Sequence, residues 1–153
     1  MKNYKNKLCR RSFFSVMLGA GALMAQSAKA AKINLSNGVA IQGYDPVAYF
    51  TQNMAVKGDA SISVEFTGST YLFSNAENRD LFLANPSKYM PQYGGYCAFA
   101  VANGALAPID PEAFTVVNNR LYLNLSKDIR NRWLRDTSGN IVAGDRNWPS
   151  LSQ

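Results

Sequence analysis

The chain has 153 residues, of which 47% are hydrophobic, and its formal net charge is +6. Six of its sixteen Lys and Arg residues and none of its ten Asp and Glu residues lie in residues 1–30, so residues 31–153 carry ten of each and are formally neutral. This balance argues against a nucleic-acid-binding surface, and the absence of histidine excludes Ser-His-Asp and Cys-His catalysis and imidazole-based zinc or iron sites.

The first thirty residues have the pattern of a secretory signal peptide: a basic start, an apolar run over 16–25 and a small-x-small end at Ala28–Ala30. Arg10-Arg11 followed by Phe13-Phe14 resembles the signal that the twin-arginine translocase reads. The apolar run is about half of the roughly twenty residues that span a bilayer. We therefore predict cleavage of 1–30, export to the periplasm through the twin-arginine translocase, and one soluble domain over 31–153 with no stable membrane span. A retained anchor is the alternative if cleavage fails.

The first part of this domain shows signals for a helical turn and a β-hairpin. Asp45-Pro46 predicts a turn in which Asp45 caps a short helical segment over 47–50, because proline suits the first helical position. Alternating apolar and polar residues over 61–66, a turn at Gly68-Ser69 and a return strand over 70–73 predict the hairpin.

A helix is predicted to follow this hairpin directly. Ser74 and Glu77 have the spacing of a capping box, in which the serine hydroxyl accepts from the backbone N–H three residues on and the glutamate reaches back. We expect the helix to run to about Ala84, because Asn85-Pro86 ends it. A further short turn is expected over 86–90.

The second part of the domain begins with a sharp bend. Gly94-Gly95 permits backbone angles that are closed to other residues. A second hairpin is predicted over 114–125 with Asn118-Asn119 at its turn, because asparagine tolerates positive φ. A last helix over Ser126–Asp136 is expected to end where Ser138-Gly139-Asn140 interrupts it. The sequence therefore predicts a small, single-domain α+β fold with two β-hairpins and two to three short helices.

Cys97 follows the glycine bend and is the single cysteine of residues 31–153. With Met54 and Met90 it forms the soft donor set of the domain, and a Cys/Met set suits Cu(I). Other interpretations stay open: the methionines fill gaps in the core, and Cys97 is a buried small hydrophobe, a free reactive thiol or half of an intermolecular disulfide.

Several segments are informative in combination: GYDPVAYF over 43–50, YLFSNAEN over 71–78, FLANPSKY over 82–89, PQYGGYCA over 91–98, and Asp110-Pro111 with LYLN over 121–124. Together they resemble the YHS-domain family, in its exported single-domain bacterial branch, over roughly residues 40–148. The resemblance implies a YHS/TRASH-like fold and an association with metal handling, often next to copper or heavy-metal transport. Metal-linked members carry several cysteines, one of them near the Asp-Pro-Val element. This chain has Ala48 there, so that ligand set does not carry over.

The candidate site is a pocket near the glycine bend, with Cys97 as its soft or nucleophilic atom. Polar groups that converge in an aromatic cleft are typical of small-molecule sites, and the side chains expected to face Cys97 are Tyr44, Asp45, Tyr49, Tyr93 and Tyr96. Cys97 and Met90 are the candidate metal ligands. The alternative is that Cys97 and the tyrosines belong to the core and that Asp45 only caps its turn. No acid–base pair stands out, so no catalytic residue is assigned.

These patterns predict an exported, non-enzymatic binding protein for a metal such as copper or for a small ligand. A thiol-dependent redox or transfer enzyme that uses Cys97 is the first alternative. A protein-interaction module that dimerises or docks on an exported partner is the second. No nucleic-acid partner is expected, and the cofactor stays open, with copper as the candidate.

Overall fold

A computed structural model describes residues 32–153 of the chain. The predicted signal peptide and its twin-arginine motif lie outside the described residues. Within residues 32–153, no helix combines the length and the apolar character that crossing a bilayer requires.

The first sheet consists of four short strands, which are β1 (Leu35–Ser36), β2 (Val39–Ala40), β3 (Asp59–Phe66) and β4 (Ser69–Phe73). Their order is β1-β2-β4-β3, with β2 parallel to β4 and the other pairs antiparallel. Strands β3 and β4 are the first predicted hairpin. Its turn is Thr67-Gly68, with φ of 49° and 76°, one residue earlier than predicted. Two residues with positive φ match the twist of a two-residue hairpin turn.

The second sheet is the other predicted hairpin, formed by the antiparallel strands β5 (Asp110–Val117) and β6 (Arg120–Asn124). Asn118-Asn119 makes its turn with φ of 50° and 57°, as predicted from the tolerance of asparagine for this conformation. The segment over 91–97, which carries the glycine bend, lies along β6 and forms a parallel bridge with it at each end. The second hairpin therefore fixes the position of the bend.

The described part of the chain contains six α-helices, which are α1 (Ala48–Thr51), α2 (Ala76–Ala84), α3 (Pro86–Tyr89), α4 (Ala98–Ala102), α5 (Lys127–Leu134) and α6 (Thr137–Leu151). Short 3₁₀ segments cover Ile41–Gly43 and Gln92–Gly95. The predicted fold class, a small single α+β domain with two β-hairpins, is confirmed. Helix α3 forms where a short turn was predicted, and α4 and α6 were not predicted.

The start of α2 differs by one residue from the predicted capping box. Asn75 is the cap, because its side chain accepts the backbone N–H of Asn78 at 2.8 Å. Ser74 does not cap the helix, since its N–H and its hydroxyl both donate to the Asp45 carboxylate, at 2.8 and 2.7 Å. Ser74 therefore bonds to the distant Asp45 and does not form the helix cap that its spacing from Glu77 predicted.

The predicted helix break at 138–140 is wrong, because these residues form the first turn of α6. Asp136 caps this helix by accepting the Gly139 N–H at 2.9 Å. Helix α6 also packs against α4, and its apolar side chains join a buried cluster. The cap and this packing outweigh the low helix propensity of glycine.

Two clusters of buried side chains form the core. The first lies between the first sheet, α2 and the second hairpin, and its buried aromatic members are Tyr49, Tyr71, Phe73, Phe82 and Tyr89. The second cluster is made by Tyr93, Ala98, Val101, Tyr122 and Trp133, with Trp148 packed against it. The rings of Tyr93 and Tyr122 are 5.8 Å apart and those of Tyr93 and Trp148 are 6.0 Å apart. Tyr93 therefore joins the glycine bend to β6 on one side and to α6 on the other.

Candidate functional site

Asp45 is fully buried and acts as a structural hub. One carboxylate oxygen accepts the N–H groups of Val47 and Ala48 at 2.8 and 3.3 Å, which caps the turn as the sequence predicted. The other oxygen accepts three bonds: the N–H and hydroxyl of Ser74, and the Asn78 side-chain amide at 2.7 Å. These five donors leave the carboxylate no free direction for a ligand, so Asp45 ties the start of α1 to the start of α2.

Tyr44 and Tyr49 also lie in or against the first core cluster. The Tyr49 hydroxyl donates to the Pro111 carbonyl at 2.9 Å, and its ring packs edge-on against Phe114 at 4.8 Å. Burial raises the pKa of Tyr49 far above its ordinary value, with a further contribution from the neighbouring Tyr44 and acidic groups. Tyr44 is half-buried, with the Lys57 ammonium 4.5 Å from the centre of its ring. Both side chains hold the segment over 43–50 in place.

Cys97 lies at the start of α4, and its side chain is 1% exposed. Its sulfur accepts the Leu125 N–H at 3.3 Å and lies 3.7 Å from the amide oxygen of Asn124, to which the thiol donates. The same oxygen accepts the Phe99 N–H at 3.1 Å. This arrangement connects the end of β6 to the start of α4 and closes the thiol off from solvent.

The glycine bend includes a third residue, Tyr93, in addition to the two glycines. Tyr93, Gly94 and Gly95 all have positive φ, at 55°, 58° and 77°. A Cβ on Gly94 would lie 2.2 Å from the Lys32 carbonyl oxygen, so only glycine lets the N-terminal segment cross the bend. Asn34 then fixes this crossing, because its N–H donates to the Gly94 carbonyl at 2.8 Å and its side chain to the Gly95 carbonyl at 3.0 Å.

The Tyr93 hydroxyl connects this bend to α6. It donates to Asp145 at 2.9 Å and lies 3.3 Å from the Ile141 carbonyl. Burial, together with the hydrogen bond to Asp145, raises the pKa of Tyr93 far above its ordinary value. The other oxygen of Asp145 is 4.0 Å from the Arg120 guanidinium at the start of β6. A tyrosine, a carboxylate and an arginine from three separate segments thus meet in one row.

This row lies at a cavity of about 590 Å³, which we name the Tyr93 cleft. Its apolar and aromatic walls are Ile33, Met90, Pro91, Tyr93, Trp148 and Pro149. Its polar and charged lining residues are Lys32, Thr67, Ser87, Gln92, Arg120 and Asp145. Concave sites of 300–1,000 Å³ with mostly apolar walls and a few polar groups are typical of small-molecule binding.

The cleft includes only part of the predicted site. Tyr93 and Met90 line it, and Tyr96 lies next to it with its ring 6.3 Å from Trp148. The other predicted residues lie outside the cleft, and these are Tyr44, Asp45, Tyr49 and Cys97. Tyr49 and Cys97 both belong to the first core cluster instead.

The lining residues that the sequence did not predict include the three charged ones and the tryptophan, which are Lys32, Arg120, Asp145 and Trp148. They come from the two ends of the described domain and from the second hairpin turn. The unusual tail sequence Asn147-Trp148-Pro149 was the available signal, because a tryptophan near the end of a small domain needs a surface to pack against.

The predicted metal ligands do not meet in one place. Met90 lines the cleft, Cys97 is sealed in the core, and Met54 is 57% exposed elsewhere. Among residues 32–153, no three His, Cys, Asp or Glu side chains are grouped so that they could hold a metal ion.

Comparison of the chain with protein-family models, with curated proteins and with solved structures finds no match in any of the three.

Proposed function

We propose that this protein is an exported, YHS-like binding protein that holds a small organic ligand in the Tyr93 cleft. The single observation that carries the proposal is the cavity of about 590 Å³ with aromatic walls and a few charged groups at its edge. Export is supported by the signal-peptide pattern of residues 1–30. A binding role is supported by the cleft alone.

The walls of the cleft are held in place before any ligand arrives. The N-terminal segment is pinned to the bend by the two bonds of Asn34. The bend is pinned to α6 by the Tyr93–Asp145 hydrogen bond at 2.9 Å. A site whose walls need little ordering loses less entropy on binding, so a small ligand gains affinity there.

A small ligand is favoured over copper because the soft donors are separated. The Cys97 sulfur already has a hydrogen-bond donor and an acceptor in the core. Met90 is left as the soft donor that lines the cleft. The burial of Cys97 also disfavours a thiol-dependent enzyme, since a substrate cannot reach a sulfur that is 1% exposed.

The test uses the two tryptophans as reporters, one inside the cleft and one in the core. The protein is purified as the producing cell releases it, and its N-terminus is established by mass spectrometry. It is then titrated with N-phenyl-1-naphthylamine and with its sulfonated analogue 8-anilinonaphthalene-1-sulfonate. We expect saturable quenching of tryptophan emission, with a matching rise in the emission of the bound probe, for at least one of the two probes.

A matched pair of variants on α3 decides whether the probe occupies the cleft. Ser87 lines the cavity, whereas its exposed neighbour Lys88 does not. Ser87→Phe should fill the cleft and weaken binding about tenfold or more, and Lys88→Phe should leave it within about twofold. Equal affinity in the two variants, or no saturable binding of either probe, would mean that the cleft is not a ligand site.

A further inference from the structure

The charge of the Tyr93 cleft indicates what kind of ligand it holds. Two of its lining residues, Lys32 and Arg120, are cationic, and one, Asp145, is anionic. One carboxylate oxygen of Asp145 already accepts the Tyr93 hydroxyl and the other is 4.0 Å from Arg120, so the lining has a single carboxylate against two cationic side chains. An incoming ligand therefore meets an excess of positive charge beside an apolar wall.

Building on the proposed function, we propose that the ligand is an amphiphilic organic anion, with its carboxylate or sulfonate at Arg120 and its apolar body against Trp148. The two halves of such a molecule match the two halves of the cleft. A cationic ligand would face two like charges. A neutral one would displace solvent from the guanidinium without offering it an oxyanion in return.

Arg120 is suited to this role by its position. It is the first residue of β6, directly after the Asn118-Asn119 turn, so the hairpin fixes its backbone. Its side chain is about half exposed, and the 4.0 Å separation from Asp145 exceeds hydrogen-bonding distance. A guanidinium has five N–H donors in a planar fork that fits an oxyanion in two-point contact. Its N–H groups can therefore turn to a ligand without breaking a short ion pair.

The apolar half of the cleft is equally well defined. Trp148 packs against the rings of Tyr93 and Tyr96, with ring centres 6.0 and 6.3 Å away and ring planes inclined by 56° and 47°, and these contacts restrict the indole. Met90 and Pro91 add further apolar surface to the lining. Rigid aromatic walls of this kind favour a flat or branched apolar body that excludes water from the adjoining charge pair.

The experiment compares two probes that share one aromatic body. 8-Anilinonaphthalene-1-sulfonate is anionic, and N-phenyl-1-naphthylamine is the same molecule without the sulfonate. We expect the sulfonate to bind about tenfold more tightly and to weaken as salt is added, because salt screens partly exposed charges. The affinity of the neutral probe should be independent of salt.

Two variants of opposite sign separate recognition from damage to the fold. Arg120→Gln should weaken the sulfonate about tenfold and leave the neutral probe unchanged. Asp145→Asn should tighten the sulfonate several-fold, because it removes a negative charge while its amide oxygen still accepts the Tyr93 hydroxyl. Arg132→Gln, an exposed arginine on α5 outside the cleft, is the control and should change neither affinity.

The outcomes distinguish this inference from the proposed function. If both probes bind equally and Arg120→Gln leaves the sulfonate unchanged, the ligand is not an anion, although the cleft remains a binding site. If Arg120→Gln and Asp145→Asn both weaken the two probes alike, the row is structural and the inference is wrong. If neither probe binds to the unmodified protein, the proposed function itself is wrong.

Discussion

At the scale of single residues, the side chain of Asp45 has more hydrogen-bond partners than the other predicted site residues. Its buried carboxylate accepts five hydrogen bonds and donates none. Asp45→Asn replaces one acceptor oxygen with an NH₂ group, which faces N–H or O–H donors in either orientation of the amide. Because hydrogen bonds to a buried charge are strong and an unpaired donor is costly, we expect the free energy of unfolding to fall by about 3 kcal/mol. Urea denaturation measures the change.

Asp59→Asn is the matched control for this variant. Asp59 also accepts an N–H and a hydroxyl, both from Ser61 at 2.8 and 2.7 Å, but it is exposed at the start of β3. Water replaces these bonds when the charge is removed, so stability should change little. A loss in Asp59→Asn as large as that in Asp45→Asn would show that burial is not what makes the Asp45 network important.

At the scale of elements, the contact between α6 and the glycine bend determines the shape of the Tyr93 cleft. Gly144 lies on α6 where it faces Tyr93, and a Cβ there would be 2.5 Å from the hydroxyl oxygen. Glycine to alanine inside a helix normally stabilises it by about 1 kcal/mol. Here the added methyl must push α6 off Tyr93, so we expect Gly144→Ala to destabilise the protein by about 2 kcal/mol. Thermal melting followed by circular dichroism gives the sign directly.

The control for Gly144→Ala lies on the same helix. Val142 is 67% exposed, and Val142→Ala should be neutral or slightly stabilising because it only improves helix propensity. A gain in stability from Gly144→Ala would contradict the close packing of α6 on Tyr93. It would also remove the reason for regarding the wall of the cleft as fixed.

Some elements follow from local sequence, and others depend on residues far along the chain. The turn at Asn118-Asn119 and the cap of Asp45 on its own turn were predicted correctly, because both depend on the conformation of two or three neighbouring residues. The cap of α2 was predicted one residue too early, since the Ser74 hydroxyl donates to the carboxylate of Asp45, 29 positions earlier in the chain. Capping rules consider only neighbouring residues, so they do not predict this bond.

The candidate site shows the same limit more strongly. Tyr93 was predicted to line a pocket at the bend, and it does. Its partners Asp145 and Trp148 lie about fifty residues later, on a helix that Gly139 seemed to forbid. Cys97 attracted attention as the lone thiol, but its neighbour Asn124 holds it in the core. Composition identifies reactive residue types, whereas burial decides which of them face solvent.

At the scale of the whole molecule, the titrating groups predict how stability depends on pH. The chain has no histidine, so no side chain has an ordinary pKa between 5 and 8. Burial raises the pKa of Tyr71 to about 12 and that of Tyr49 further. Each phenol is neutral in both states below its unfolded pKa of about 10, so its stabilisation is complete there. Above pH 10 the unfolded chain loses these protons first, and stability falls as pH rises.

Urea denaturation at a series of pH values tests this profile. We expect a plateau from about pH 6 to 9 and a decline above about pH 10 that becomes shallower in Tyr71→Phe, which has no phenol to ionise. Phe73→Leu, which shortens a buried ring of the same cluster and removes no phenol, is the comparison: it should lower stability at every pH and leave the decline unchanged. A marked loss of stability between pH 6 and 8 would contradict the profile.

The backbone enters and leaves the described domain at one point. The Lys32 N–H donates to the Ser152 carbonyl at 3.1 Å, and Lys32 and Pro149 both line the Tyr93 cleft. A short linker should therefore be able to join Ser152 to Lys32. With new ends opened at the exposed Asn103-Gly104 turn, this would give a circular permutant of the same domain. In the natural chain order, in contrast, a segment attached before Lys32 or after Ser152 starts beside the cleft. A surface tether or fluorescent reporter attached there would lie next to any molecule that enters the cleft, so its emission would report occupancy of the cleft directly.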